Sequence, residues 1–160
     1  MSQTTPAGTS TLSSYILSSV AAADGALERR PRVTPRARRI GIVVTALPVL
    51  FLLVDAMVKV VGAAAASEAT AQLGWSEPLL LPLGVLELMC LSLYLLPQTA
   101  VLGAILWTGY LGGAVATHVR IGNPMFSHAL FPVYVGALLW LGLWLRDARL
   151  RALLPFTTRR

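Results

Sequence analysis

IGIVVTALPVLFLLVDAMVKVVG, from Ile40 to Gly62, is the stretch whose reading decides the fold. It carries fourteen Ile, Val, Leu or Phe side chains against two charges. At about 1.5 Å of rise per residue, a helix of this length reaches roughly 34 Å, enough to cross a hydrocarbon core of about 30 Å. A segment surrounded by lipid must satisfy its own backbone hydrogen bonds, so this one has to be helical. Three more apolar runs follow, at about Leu79 to Leu96, Thr99 to Val119 and Ala129 to Leu145. The expected fold class is therefore all-α, an integral membrane four-helix bundle. Its spans lie at about 40–62, 79–96, 99–119 and 129–145, within a domain of residues 40–155.

Composition agrees with that reading. Of 160 residues, 56% are apolar and 12% charged, whereas a soluble domain carries about 25% charged residues. Too little polar surface remains to solvate so small a globule, so lipid must cover much of it. The net charge of +6 does not point to nucleic acid, because the basic residues flank the apolar runs. Arg29, Arg30, Arg32, Arg36, Arg38 and Arg39 precede the first run, and Arg146, Arg149, Arg151, Arg159 and Arg160 follow the last. The connections at the opposite side hold Glu68, Glu77 and a single fixed positive charge, Arg120. The positive-inside rule then puts both termini in the cytoplasm, with the chain multi-pass in the cell membrane. The partner implied is the lipid bilayer.

Residues 1–39, rich in Ser, Thr, Ala, Pro and Arg, hold too few large apolar groups to offset ordering entropy. They are expected to form a disordered cytoplasmic tail, with at most a short helix near Tyr15 to Ala23. Residues 156–160 form a basic C-terminal tail. Cys90 is the lone cysteine, and no spacing of Cys and His suggests a metal site; His118 and His128 across a loop are only two ligands.

Asp55, Lys59 and Glu87 lie inside the spans, where a central charge costs about 2.5–3.5 kcal/mol. The fourteen aliphatic and Phe residues of the first span return roughly 4–8 kcal/mol, so its two charges nearly cancel its own insertion. Pairing has to soften them. Asp55 and Lys59 stand one turn apart with the acid first, the favoured order. Glu87 has no opposite charge in its own helix and is expected to be protonated or bonded to Lys59 or Tyr110. With Tyr110, His118 and Arg120 these residues concentrate polarity in the central and outer bundle. Two readings stand side by side: a small polar chamber for a ligand, a quinone headgroup or a proton, or a structural cluster in which Lys59 snorkels outward.

The third run contains Gly109, Gly112, Gly113 and Ala116 on one helical face, and Gly109-x-x-x-Gly113 is a spacing that lets backbones approach closely. Packing within the bundle is the expectation, with a dimer interface as the alternative. The Pro97-Gln98 turn makes the second and third spans antiparallel neighbours.

The run from Pro97 through Gly103-Ala104, Thr108-Gly-Tyr-Leu-Gly-Gly-Ala114 and Thr117-His-Val-Arg120 resembles the DoxX-like membrane proteins. So do Lys59, Gly84, Glu87 and Trp144-Leu-Arg146-Asp147. The likeness covers about Ile40 to Pro155 and implies a four-helix, mostly bacterial membrane bundle. The family takes its name from a subunit of a thiosulfate:quinone oxidoreductase, and relatives occur in accessory, redox-maturation and oxidative-stress settings. It supplies no agreed catalytic set to place on these positions, and no catalytic residue or cofactor is assigned. The expected function is a non-catalytic accessory or scaffold subunit packed on another membrane protein or on itself. The alternative is a quinone-linked subunit of an oxidoreductase, with Lys59, Glu87 and Tyr110 engaging the quinone; a solute carrier ranks behind both.

Overall fold

The computed structural model describes residues 13–22 and 33–153. Residues 13–22 form helix α1, which belongs to a different compact unit from the helices that follow. α1 falls on the short helix expected near Tyr15 to Ala23. The rest of the expected tail before Val33, and the basic tail 156–160, lie outside the described residues.

Helix α2 runs over Pro35–Val60, so it begins ahead of the expected Ile40. The reason is local. The Thr34 hydroxyl oxygen accepts from the Ala37 amide at 3.3 Å, and Pro35 occupies the first turn, where its missing N–H costs nothing. The expected disorder therefore does not extend to Arg39. α2 ends at Gly62, whose positive φ of 64° lets the chain reverse while Ala63 donates back to the Val58 carbonyl at 3.0 Å.

The connection that follows is itself helical, a feature the hydropathy pattern did not suggest. Helix α3, Ala64–Gln72, has the sequence AAASEATAQ, and alanine is the strongest helix former. A short 3₁₀ turn, Glu77–Leu79, leads into α4, Leu80–Leu95. α5 spans Ala100–Arg120, a π turn covers Met125–Ala129, and α6 spans Phe131–Arg146. A last short helix, α7, Ala148–Leu153, starts at Asp147, whose carboxylate accepts from the Arg149 amide at 2.8 Å. Among the described residues, four helical segments are long and apolar enough to cross a membrane.

The long helices pack in a ring: α2 on α4, α4 on α5, α5 on α6, and α6 back on α2. α2 and α5 stand on one diagonal, α4 and α6 on the other. One end of the bundle holds the start of α2 and the end of α6; it is called here the terminal end. The other holds α3 and the π turn and is the loop end. The core contains Trp107, Tyr94, Leu139, Leu143 and Cys90, all fully buried. Outward-facing side chains are apolar too: Val43 and Leu47 are each 70% exposed, which lipid tolerates and water would not.

Between lipid-bathed helices there is little hydrophobic drive, so close backbone contact and hydrogen bonds must hold the bundle. Single glycines supply the contact. A Cβ on Gly41 would lie 2.9 Å from the Gly142 carbonyl oxygen, joining α2 to α6. One on Gly84 would lie 2.9 Å from the Lys59 Cβ, joining α4 to α2. Gly103 lies directly against the Tyr94 backbone, and Gly142 against Thr45. Hydrogen bonds complete the set: the Tyr94 hydroxyl donates to the Leu139 carbonyl at 2.8 Å, and the Trp140 indole N–H to the Thr108 hydroxyl at 2.9 Å.

The expected packing stripe is thereby corrected. Gly109, Gly112, Gly113 and Ala116 are exposed, and an added Cβ at any of the three glycines would meet no atom within 4 Å. α5 turns Gly103, Ala104, Trp107 and Leu111 into the bundle, and the stripe lies away from them, with Gly109 and Gly113 at the edge of the loop-end cavity. Its spacing is that of a packing motif, but nothing in this chain packs on it.

Candidate functional site

The site begins with a rotation of α2 that turns Leu52, Asp55, Ala56 and Lys59 toward the other helices. Ala56 is fully buried and lets α4 come in at Gly84, which sets Lys59 against α4. The Lys59 ammonium lies 2.5 Å from the Asp55 Oδ2, one turn back in the same helix. It also lies 2.5 Å from Oε1 of Glu87, across in α4. From α5, the Tyr110 hydroxyl donates to the same Oε1 of Glu87. One carboxylate thus joins three helices. The side chains grade from open to sealed: Asp55 is 36% exposed, Lys59 15% and Glu87 0%.

A charge so placed survives only when paired and hydrogen-bonded. Lys59 provides three N–H donors, of which Asp55 and Glu87 engage two. One donor is left. Oε2 of Glu87 is buried without a protein partner, as is the indole N–H of Trp107, whose ring stands edge-on to Tyr110 at 5.5 Å between centroids. Two carboxyl groups face one ammonium, so the ammonium does not stand as a bare positive charge within the spans.

The cluster forms part of the wall of a cavity of about 570 Å³ at the loop end. Sites for small molecules fall in the range of about 300–1,000 Å³ and join apolar walls to a few polar groups. Here Asp55, Lys59 and Tyr110 supply polarity from the bundle interior, with Thr117 and His118 nearer the loop end. Phe51, Leu52, Leu111, Phe131 and Val135 supply apolar wall, with Phe51 edge-on to Phe131 at 5.3 Å. α3 closes the loop end through Ala66, Ala69 and Thr70, followed by Leu73 and Trp75.

The sequence-derived candidates divide accordingly. Asp55, Lys59, Glu87 and Tyr110 are brought into one hydrogen-bonded cluster. His118 is on the cavity wall but not in the cluster; its Nδ1 is 2.8 Å from the Asn123 amide nitrogen, and its ring lies edge-on to His128 at 6.0 Å. No group of three metal-ligating side chains occurs among the described residues. Arg120 stands outside the cavity and donates to the Leu73 carbonyl at 2.8 Å, tying the exit of α3 to the end of α5. Gly109 and Gly113 border the cavity; Gly112 and Ala116 do not.

Thr70, Trp75, Thr117 and the aromatic pair Phe51 and Phe131 are cavity residues absent from the sequence-derived candidates. Trp75 reads as a membrane-boundary tryptophan, and only the folding back of α3 turns it into a wall. The one signal for the cap is the alanine-rich segment 63–72, whose helical propensity outlasts its lack of amphipathic pattern.

Comparison with curated proteins and with solved structures gives no match. A model of the DoxX-like family matches residues 43–142, a stretch that runs from α2 into α6 and contains the whole polar cluster. With four segments of crossing length and a family match over most of its chain, this small multi-pass membrane protein belongs to the DoxX-like family.

Proposed function

We propose that the protein is a membrane subunit that binds a quinone-class molecule in the loop-end cavity, in the service of a partner oxidoreductase. The observation that carries this reading is the free donor of Lys59 on the wall of a largely apolar cavity of about 570 Å³. A quinone matches both features. Its flat ring suits the Phe51, Leu52 and Val135 walls, and its carbonyl oxygen accepts from an ammonium already oriented by two carboxylates. Tyr110 and Glu87 lie beside that point and offer a place for a proton. The electron-transfer step is assigned to the partner.

The accessory-subunit reading draws on a separate observation, the exposed stripe of Gly112 and Ala116 on α5, a surface of the kind on which membrane helices pack. The two readings are compatible, because a quinone-binding subunit also needs a partner.

Orientation completes the proposal. Eleven of the thirteen basic residues flank the terminal end, which supports cytoplasmic termini and a cavity on the outer side of the cell membrane. Titration of the purified protein in lipid nanodiscs with tetramethylbenzoquinone tests the reading, with tryptophan fluorescence as the readout, to which Trp75 on the cavity wall contributes beside Trp107, Trp140 and Trp144. Saturable quenching at one site per chain is expected, lost in Lys59→Met and in the double variant Lys59→Met with Glu87→Gln, which removes the stranded carboxylate. Quenching that never saturates, or is unchanged in Lys59→Met, would end the proposal.

A further inference from the structure

On the reading that the cavity holds a quinone head, we infer that the ligand carries a lipid tail that passes sideways between α4 and α5. The aperture is the gap that Gly113 and Gly109 leave open beside Leu83. α4 and α5 are joined by a short turn, and there their backbones touch, Gly103 directly on Tyr94. Further toward the loop end a pair of side chains bridges them, Tyr110 to Glu87. One turn further still, Leu83 shares the α4 face of Glu87, and Gly113 the α5 face of Tyr110. At that level glycine stands where a side chain would complete the seal.

Gly109 and Gly113 are on the cavity wall and are also exposed, with nothing within 4 Å of either Cβ position. Phe51 and Phe131 also meet both the cavity and the exterior, but their rings close edge-on upon each other at 5.3 Å, whereas the glycines have no side chain to close the gap beside them. Its depth sets what lies outside. At about 1.5 Å per residue, Gly113 is about 10 Å and Gly109 about 16 Å from the Arg120 end of α5. Half of a hydrocarbon core is about 15 Å, so the opening faces acyl chains rather than water. Toward the loop end, α3 covers the cavity and the Arg120 bond to Leu73 fixes the segment that follows it. A tailed amphiphile therefore reaches Lys59 with its head while its tail stays in lipid. Gly109 and Gly113 act here as specificity-determining residues, by what they lack.

Two quinones with the same head separate this inference from the reading beneath it: tetramethylbenzoquinone, and trimethylbenzoquinone carrying a decyl tail. Dissociation constants are measured in nanodiscs for the wild type, Gly113→Leu and Gly112→Leu. Leucine at 113 fills the gap, suits a helix better than glycine, and meets no atom at its Cβ. The tailed quinone should bind Gly113→Leu about tenfold or more weakly, with the tail-less one within about twofold of wild type. Gly112→Leu, off the cavity wall, should change neither. The inference is overturned if Gly113→Leu leaves the tailed quinone unaffected or weakens both alike. It is equally overturned if Gly112→Leu has the same effect, or if the wild type takes only the tail-less quinone. Should the wild type bind neither, the quinone reading itself fails and this inference with it.

Discussion

Replacing Lys59 by methionine keeps most of the length of the side chain and removes the charge on which two carboxylates depend. The structure sets an unequal distribution of the loss. Asp55 is 36% exposed and can turn away, so its pair with Lys59 contributes on the order of 0–1 kcal/mol. Glu87 is 0% exposed and keeps only Tyr110, and a buried pair broken on one side costs about 3–5 kcal/mol. Lys59→Met should therefore destabilise by about 3 kcal/mol or more, and Asp55→Asn by no more than about 1 kcal/mol. The double variant Lys59→Met with Glu87→Gln removes the stranded charge and should regain most of the loss. Equilibrium unfolding of the detergent-solubilised protein by titration with sodium dodecyl sulfate, read by tryptophan fluorescence and helical dichroism, measures all three. If Lys59→Met costs no more than Asp55→Asn, or the double variant is no more stable than the single, Glu87 does not depend on Lys59 as described.

Gly103→Ala drives a methyl group into the Tyr94 backbone and should cost about 1–3 kcal/mol in the same assay, whereas Gly112→Ala should be neutral or stabilising by up to about 1 kcal/mol. Arg120→Gln frees the Leu73 carbonyl; amide exchange should quicken across 64–75 while the stability of the bundle changes by less than about 1 kcal/mol. Alkaline phosphatase and fluorescent-protein fusions in bacterial cells should place both termini in the cytoplasm and Thr70 and Asn123 outside it; signals from opposite sides for the two termini would contradict the charge-based orientation.

Much of this architecture is legible in one dimension because a membrane imposes one-dimensional rules. A span must be apolar for a crossing length, so α2, α4, α5 and α6 stand out in the sequence. Their ends are less visible, since capping by Thr34 and Pro35 draws α2 back into an arginine-rich segment that reads as tail. The Asp55 and Lys59 pair is also legible, being one helical turn apart. Its joining to Glu87 and Tyr110 is not, because only the rotation of three helices brings those residues together. The glycines show the limit most plainly. Gly109-x-x-x-Gly113 has the spacing of a packing motif yet borders open space, while Gly41, Gly84, Gly103 and Gly142 stand alone in sequence and make the contacts. A close approach belongs to two helices, and spacing along one of them does not say whether the other is there. The cap on the cavity was hidden for a different reason: an alanine-rich helix carries propensity but no pattern.

Whether a quinone occupies the Lys59 cavity is read most directly by native mass spectrometry of the chain released from the membranes that produced it. Wild type should carry one quinone-class molecule per chain, identified by its fragments after collisional release; Lys59→Met should leave the detector bare, and Glu68→Gln, on the exposed side of α3, should retain the adduct. A wild-type chain that arrives without a quinone, or an adduct that persists in Lys59→Met, would contradict the assignment.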